Sequence, residues 1–186
     1  MAELKPMSFE LNTDALSILR QEFDVDKLAD KFEQATKTGQ AASSGKEIFS
    51  DYGVKWMKRT LQLGEEYPDR TYELLKETID HLNGYLKFSL LPQRFLEMAY
   101  LGILDLRNIP VMENSPRRLD FRIPECRIYD AVLKRCGKTM TDQMYCKHAC
   151  LSALEVLHKD LELEALIKME AALPDAGYCE FSANRV

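Results

Sequence analysis

The sequence predicts an α+β fold: a helical N-terminal part packed beside a small antiparallel sheet, with a C-terminal β-hairpin. Three observations carry this expectation. Apolar residues recur at spacings of three and four through the N-terminal half, the pattern of amphipathic helices. Strict alternation appears only later, where Leu119, Phe121 and Ile123 interleave with Arg118, Asp120 and Arg122, as in a half-buried strand. The order runs helices, strand, helices, hairpin, and not a repeated strand–helix alternation, which argues against a doubly wound sheet.

Taken in order, residues 13–23 and 25–36 read as a polar helical lead-in, with Asp14 placed where a helix N-terminus favours negative charge. The run from Thr38 to Gly45 has the composition of a linker. Residues 1–44 are therefore read as lead-in and linker, and 45–186 as a cysteine-rich α+β domain. Within the latter, Phe49, Gly53, Trp56, Thr60 and Leu63 form one stripe of a helix over 46–67, stopped by Pro68. A second helix covers 71–82 and ends at Asn83-Gly84, a left-handed C-terminal signal. Residues 88–91 form a short apolar piece, and Pro92 then opens a helix over 93–107 that is apolar nearly all round. Such a helix is either the centre of the domain or a face for a second copy, so residues 93–106 are the expected contact of any homodimer. After a turn at 112–116 and the strand at 118–123, helices are expected over 127–135 and 140–159. Strands over 163–173 and 178–185 then pair across Pro174-Asp175-Ala176-Gly177.

Composition narrows the function classes. The chain has 186 residues, is 46% apolar and carries a formal net charge of −5. An acidic protein gains little by releasing counterions from phosphates, so nucleic-acid binding is not expected, despite the local cluster Arg117, Arg118, Arg122 and Arg127. No run of 18 apolar residues exists to cross a membrane, and the first residues lack the apolar core of an export signal. A cytoplasmic location with reduced thiols follows as the expectation.

The five cysteines, all between positions 126 and 179, then need an explanation other than disulfides. Cys146 and Cys150 are spaced i, i+4, which puts both thiols on one helical face, close enough to share one ion. Cys136 and Cys179 are the candidates to complete a tetrahedral set. Cys126 does not fit the same site as Cys136, because a helix between them would separate them by about 15 Å. Zinc is the expected metal, and iron or an iron–sulfur cluster suits the same thiolates. The competing reading is burial: Cys146, Cys150, Ala153, Leu157 and Leu161 continue one apolar stripe, and free cysteine behaves as a small hydrophobe. His148 lies about 200° round the helix from Cys146 and is the candidate acid–base residue; His81 and His158 read as surface residues.

Several of these motifs together carry a resemblance. Arg122-Ile-Pro-Glu-Cys126, Cys136-Gly137, Tyr145-Cys146-Lys147 and Gly177-Tyr-Cys-Glu-Phe181 look like the C-terminal half of the L-2-amino-thiazoline-4-carboxylic acid hydrolase-like family. Residues 45–186 resemble more closely an uncharacterised prokaryotic family related to it, through Asp51-Tyr-Gly-Val-Lys-Trp-Met57, Leu91-Pro-Gln-Arg-Phe-Leu96 and Cys146-Lys-His-Ala-Cys150. The final glycine–x–Cys–x–Phe strand is also similar to vinyl-reductase-type small-molecule-binding domains. The resemblance implies helices beside a small antiparallel sheet. In the hydrolase-like members an acidic residue stands three positions after the cysteine that matches Cys146; Ala149 stands there in this chain, which leaves that role vacant.

Two functional expectations follow. The first is a small-molecule or metal-binding protein whose cysteine cluster (Cys136, Cys146, Cys150, Cys179) holds zinc or another thiophilic ion. The second is a hydrolase of a cyclic amide or thiazoline, in which a thiolate or metal-bound water attacks and His148 moves the proton. A third reading has no metal: the cysteines are core residues and the protein acts through an interface.

Overall fold

The computed structural model describes residues 9–104 and 108–186, with the backbone alone at Ser89. Five helices lead: α1 (Thr13–Glu22), α2 (Val25–Lys37), α3 (Ala41–Glu66), α4 (Arg70–His81) and α5 (Lys87–Ile103). Strands β1 (Val111–Asn114) and β2 (Arg118–Ile123) follow. Next come α6 (Arg127–Cys136), the short α7 (Lys138–Thr141) and α8 (Lys147–Asp160). Strand β3 (Ala165–Ala171), a single turn α9 (Leu173–Ala176) and β4 (Cys179–Arg185) end the chain. The sheet is four-stranded and antiparallel in the order β1-β2-β4-β3, and β3 and β4 form the expected C-terminal hairpin, so the fold is α+β. No helix among the described residues is long and apolar enough to cross a membrane.

The helix starts follow capping chemistry. The side chains of Asn12, Asp24 and Asp69 accept hydrogen bonds from the first backbone N–H groups of α1, α2 and α4. The run that composition marks as a linker is different: from Ala41 onward it is the first turns of α3. Only Gly39, at φ +73°, breaks the chain between α2 and α3. The glycine there is small for a packing reason, since a Cβ at Gly45 would meet the rings of Phe32 and Tyr145 at 3.0 Å. Helix α5 begins before Pro92 instead of at it, absorbing the apolar piece at 88–91. The expected continuation to Arg107 falls partly on residues outside those described. The single helix expected over 140–159 is broken by Met144, at φ +56°, into α7 and α8. Strand β1, read from the sequence as part of a turn, pairs with β2 through a bulge.

Helix α5 is the centre of the domain. Every residue from 91 to 104 is buried, which leaves that segment no exposed face for a second copy. Its Tyr100 ring meets Trp56 of α3 at 4.9 Å and Phe121 of β2 at 5.6 Å, joining helices to sheet. Its Arg94, 1% exposed, holds the Asp69 carboxylate at 2.6 Å and lies 3.9 Å over the Tyr72 ring. The other oxygen of Asp69 caps α4, so one carboxylate both starts α4 and fixes it to α5. On the inner sheet face, Leu119, Phe121, Ile123, Phe181 and Ala183 are buried against the helices. The outer face is polar, with Arg118 on Asp120 and Arg122 on Glu180.

Helices α3 and α8 cross most closely of all. A Cβ at Gly53 would stand 2.0 Å from the Ala149 carbonyl oxygen, which backbone cannot vacate without moving a helix. Gly53→Ala is therefore expected to separate α3 from α8 and to lower the unfolding free energy by about 3 kcal/mol. Urea unfolding checks this: an unchanged midpoint would show that the crossing tolerates a methyl group.

Candidate functional site

The structure corrects the expected metal cluster. No group of three or more His, Cys, Asp or Glu side chains among the described residues is arranged to hold a metal ion. Cys136, proposed from the sequence as a ligand with Cys146, Cys150 and Cys179, ends α6 and faces Thr36 of α2. The rise of α6 carries it about 15 Å from Cys126, and it is Cys126, set aside as a ligand, that shares the interior with the other three. There, burial first and the neighbouring thiols second oppose ionisation. The Cys126 thiol is pushed up to about 12, and Cys146 and Cys150 are also raised. Cys179 is raised by burial alone. All five cysteines are free of disulfides. Cys126, Cys146, Cys150 and Cys179 are buried in the core as small hydrophobes, where desolvation opposes the thiolate.

Each buried thiol has a local structural task. Cys126 caps α6, its sulfur accepting from Tyr129 N–H at 3.5 Å. Cys146 sits at the N-cap of α8, and Cys179 opens β4 opposite Ile123 of β2. Cys150 adjoins the fully buried Tyr100 hydroxyl, which has no hydrogen bond of good geometry; Trp56 Nε1 beside it also lacks a partner. His148 lies in the first turn of α8, half-buried; burial first and then the charges of Lys147 and Lys46 hold it below its usual range.

His158 departs furthest from its sequence reading. Expected at the surface, it is 2% exposed near the end of α8, with its ring 5.8 Å from Phe88. Its Nδ1 lies 2.9 Å from the Leu154 carbonyl, which can only accept. The proton is thereby assigned to Nδ1, and Nε2 is left as a buried acceptor without a partner.

His158 lies at the floor of a groove of about 560 Å³ between the end of α8 and β3. Leu163, Ala165 and Ile167 supply its apolar wall, and Glu155, Lys159, Glu162 and Glu164 its rim. The groove exists because burial fades across the sheet: inward residues of β2 and β4 are buried, whereas Ala165, Ile167 and Met169 of β3 are only half-covered. β3 is also the last strand of the sheet, so its outer backbone edge has no neighbouring strand among the described residues. Leu166 on it is 52% exposed. A second hollow of similar size, between α2 and α3, is lined by polar side chains such as Lys31, Gln34, Glu47 and Asp51 and contains no buried unpartnered group. Nothing in the sequence pattern marked the groove; the only available signal was the alternation within 165–170 of a strand that starts late and ends the sheet.

Comparison with protein-family models, with curated proteins and with solved structures finds no match to this chain. The site therefore has to be read from its own geometry.

Two outcomes are expected. In the native protein, the thiol reagent DTNB titrates one cysteine, the half-buried Cys136, and all five after unfolding; four fast-reacting native thiols would contradict the packing described. The second concerns pH. Burial lowers the His158 pKa from its ordinary 6.5, so below that value the unfolded chain binds the extra proton and the folded one resists it. The stability contribution is complete above about pH 6.5 and is lost as the pH falls. His148 acts in the same direction. Urea midpoints between pH 7.5 and 5.5 should fall for the native sequence and fall less for His158→Gln; equal slopes would remove His158 from the effect.

Proposed function

We propose that the protein is an interaction module that accepts an extended polypeptide strand at the free edge of β3, beside α8. The observation that supports it is the coincidence of three features: an uncovered strand edge, an apolar groove running alongside it, and a buried acceptor at the groove floor. Addition of a strand to a sheet edge draws affinity from main-chain hydrogen bonds and selectivity from pockets for alternate side chains. The groove lies on the inward side of β3, where every second side chain of an added strand would point.

The edge is also guarded. Lys168 stands mid-strand, and the pairing of β3 with β4 shifts register between Met169 and Ala171, a bulge. Both features discourage indiscriminate pairing. The bulge confines an incoming strand to the residues before it, where Ala165 and Ile167 border the groove. Self-pairing centred on Lys168 would set two lysines face to face, which disfavours a second copy as the occupant.

A blocked hexapeptide of alternating valine and threonine, titrated into isotopically labelled protein, provides the test. Weak binding in the roughly millimolar range is expected, with amide shifts concentrated at 163–169 and at 155–159. Shifts elsewhere, or none, would remove the reading.

A further inference from the structure

We infer that the strand accepted at β3 is basic: it places a lysine or arginine side chain in the α8–β3 groove. This rests on the strand-accepting reading above and specifies its partner.

The groove has two kinds of wall that suit one side chain. Its inner wall, from Leu163, Ala165 and Ile167, is apolar and half-covered. Its rim carries Glu155, Glu162 and Glu164 against the single cation Lys159. Lysine and arginine have this same division, an aliphatic stem with a charged head, and cover apolar surface while keeping the head at the solvent boundary. A wholly apolar side chain would cover the inner wall and leave three carboxylates facing it. An acidic one would meet like charge.

The rim carboxylates are available. Glu155 and Glu164 form no ion pair with another described residue, although Lys159 is four residues from Glu155 on the same helix. Glu162 reaches only Lys87, at 3.9 Å, with its own side chain 89% exposed. His158 adds a second, independent feature. It is 2% exposed, its Nε2 has no partner, and with Nδ1 protonated that nitrogen can only accept. Such an atom takes a donor N–H or O–H and is not satisfied by a carboxylate or carbonyl, so it disfavours an acidic side chain beside it, while the choice of lysine or arginine comes from the rim carboxylates.

The probes are three blocked hexapeptides in which valine alternates with threonine, lysine or glutamate. They are titrated against the native protein and against the double variant Glu155→Gln, Glu164→Gln, whose altered residues are exposed and keep their size. Shift mapping locates binding, and sedimentation velocity reads the oligomeric state. The lysine peptide is expected to bind at 163–169 roughly tenfold more tightly than the threonine peptide, and the double variant to lose roughly fivefold of that gain, as added salt also does. Equal binding of all three peptides at β3 would overturn the basic specificity while leaving strand addition intact. No perturbation of β3 by any peptide would overturn strand addition itself. Lysine-peptide shifts away from the groove would overturn the inference, as would a dimer with protected β3 amides, which would make a second copy the occupant.

Discussion

The near contact of α3 with α8 at Gly53 sets the positions of most other features. With no side chain at 53, the Ala149 carbonyl lies against the α3 backbone, and the two helices cross at a separation that any Cβ would forbid. The crossing fixes α8 near its N-terminal end, so Cys150 is brought against Tyr100 and Ala149 and Ala153 are wholly buried. From that anchor the helix runs on to the sheet edge. Its far end, carrying His158 and Lys159, reaches β3 but does not cover it. Ala153, Leu154, Leu157 and His158 stay buried along the helix, so the groove opens only between its outer side and the half-covered edge strand.

The interior shows why clustered cysteines need not form a metal site. Burial raises the cost of a thiolate, and each neighbouring thiol that might ionise raises it further. A preformed metal site normally works the other way, with nearby positive charge or N–H donors lowering the thiol pKa. Here the help is slight: backbone N–H groups at Cys126, Cys146 and Cys179 and a hydroxyl beside Cys150, all outweighed by desolvation. The same desolvation raises Tyr52 and Tyr100. Uncharged, sulfur and aromatic surfaces pack closely, and the region from Trp56 through Tyr100 to Phe121 and Phe181 forms a continuous chain of ring contacts beneath the sheet.

Much of this was legible in the sequence where one physical signal dominated. The stripe Phe49, Gly53, Trp56, Thr60, Leu63 did mark the buried face of α3, with all five residues inside. The all-round apolar character of residues 93–104 did mark a helix enclosed on all sides, and the alternation at 118–123 a strand. The failures occur where two signals compete. Ser43, Ser44 and Gly45 read as a linker because small residues serve loops as well as helix starts, and the tight contact of Gly45 with Phe32 and Tyr145 leaves no mark in the sequence. Cys146 and Cys150 share a helix face, but spacing along one helix says nothing of where Cys136 and Cys179 will stand. His158 read as polar surface because a histidine's burial depends on what packs over it; here that group is the ring of Phe88 in α5, from a distant part of the chain.

The position of His158 bears on whether the groove is a by-product of helix placement or a site. A helix diverging from an edge strand leaves an apolar gap in many geometries, and such a gap alone asks for nothing. Leucine at 158 would line it with no penalty. A histidine whose one ring nitrogen is occupied by the helix backbone and whose other is buried without a partner costs stability, on the order of 1–3 kcal/mol for the unmet acceptor. It costs more as the pH falls, because protonation must occur in the same apolar surroundings. A hydrogen-bond donor entering the groove would offset that cost in the bound state alone. Affinity gained in this way favours partners that present a donor N–H or O–H over those presenting only carbon or oxygen acceptors, and the three glutamates on the rim bias the choice toward cations.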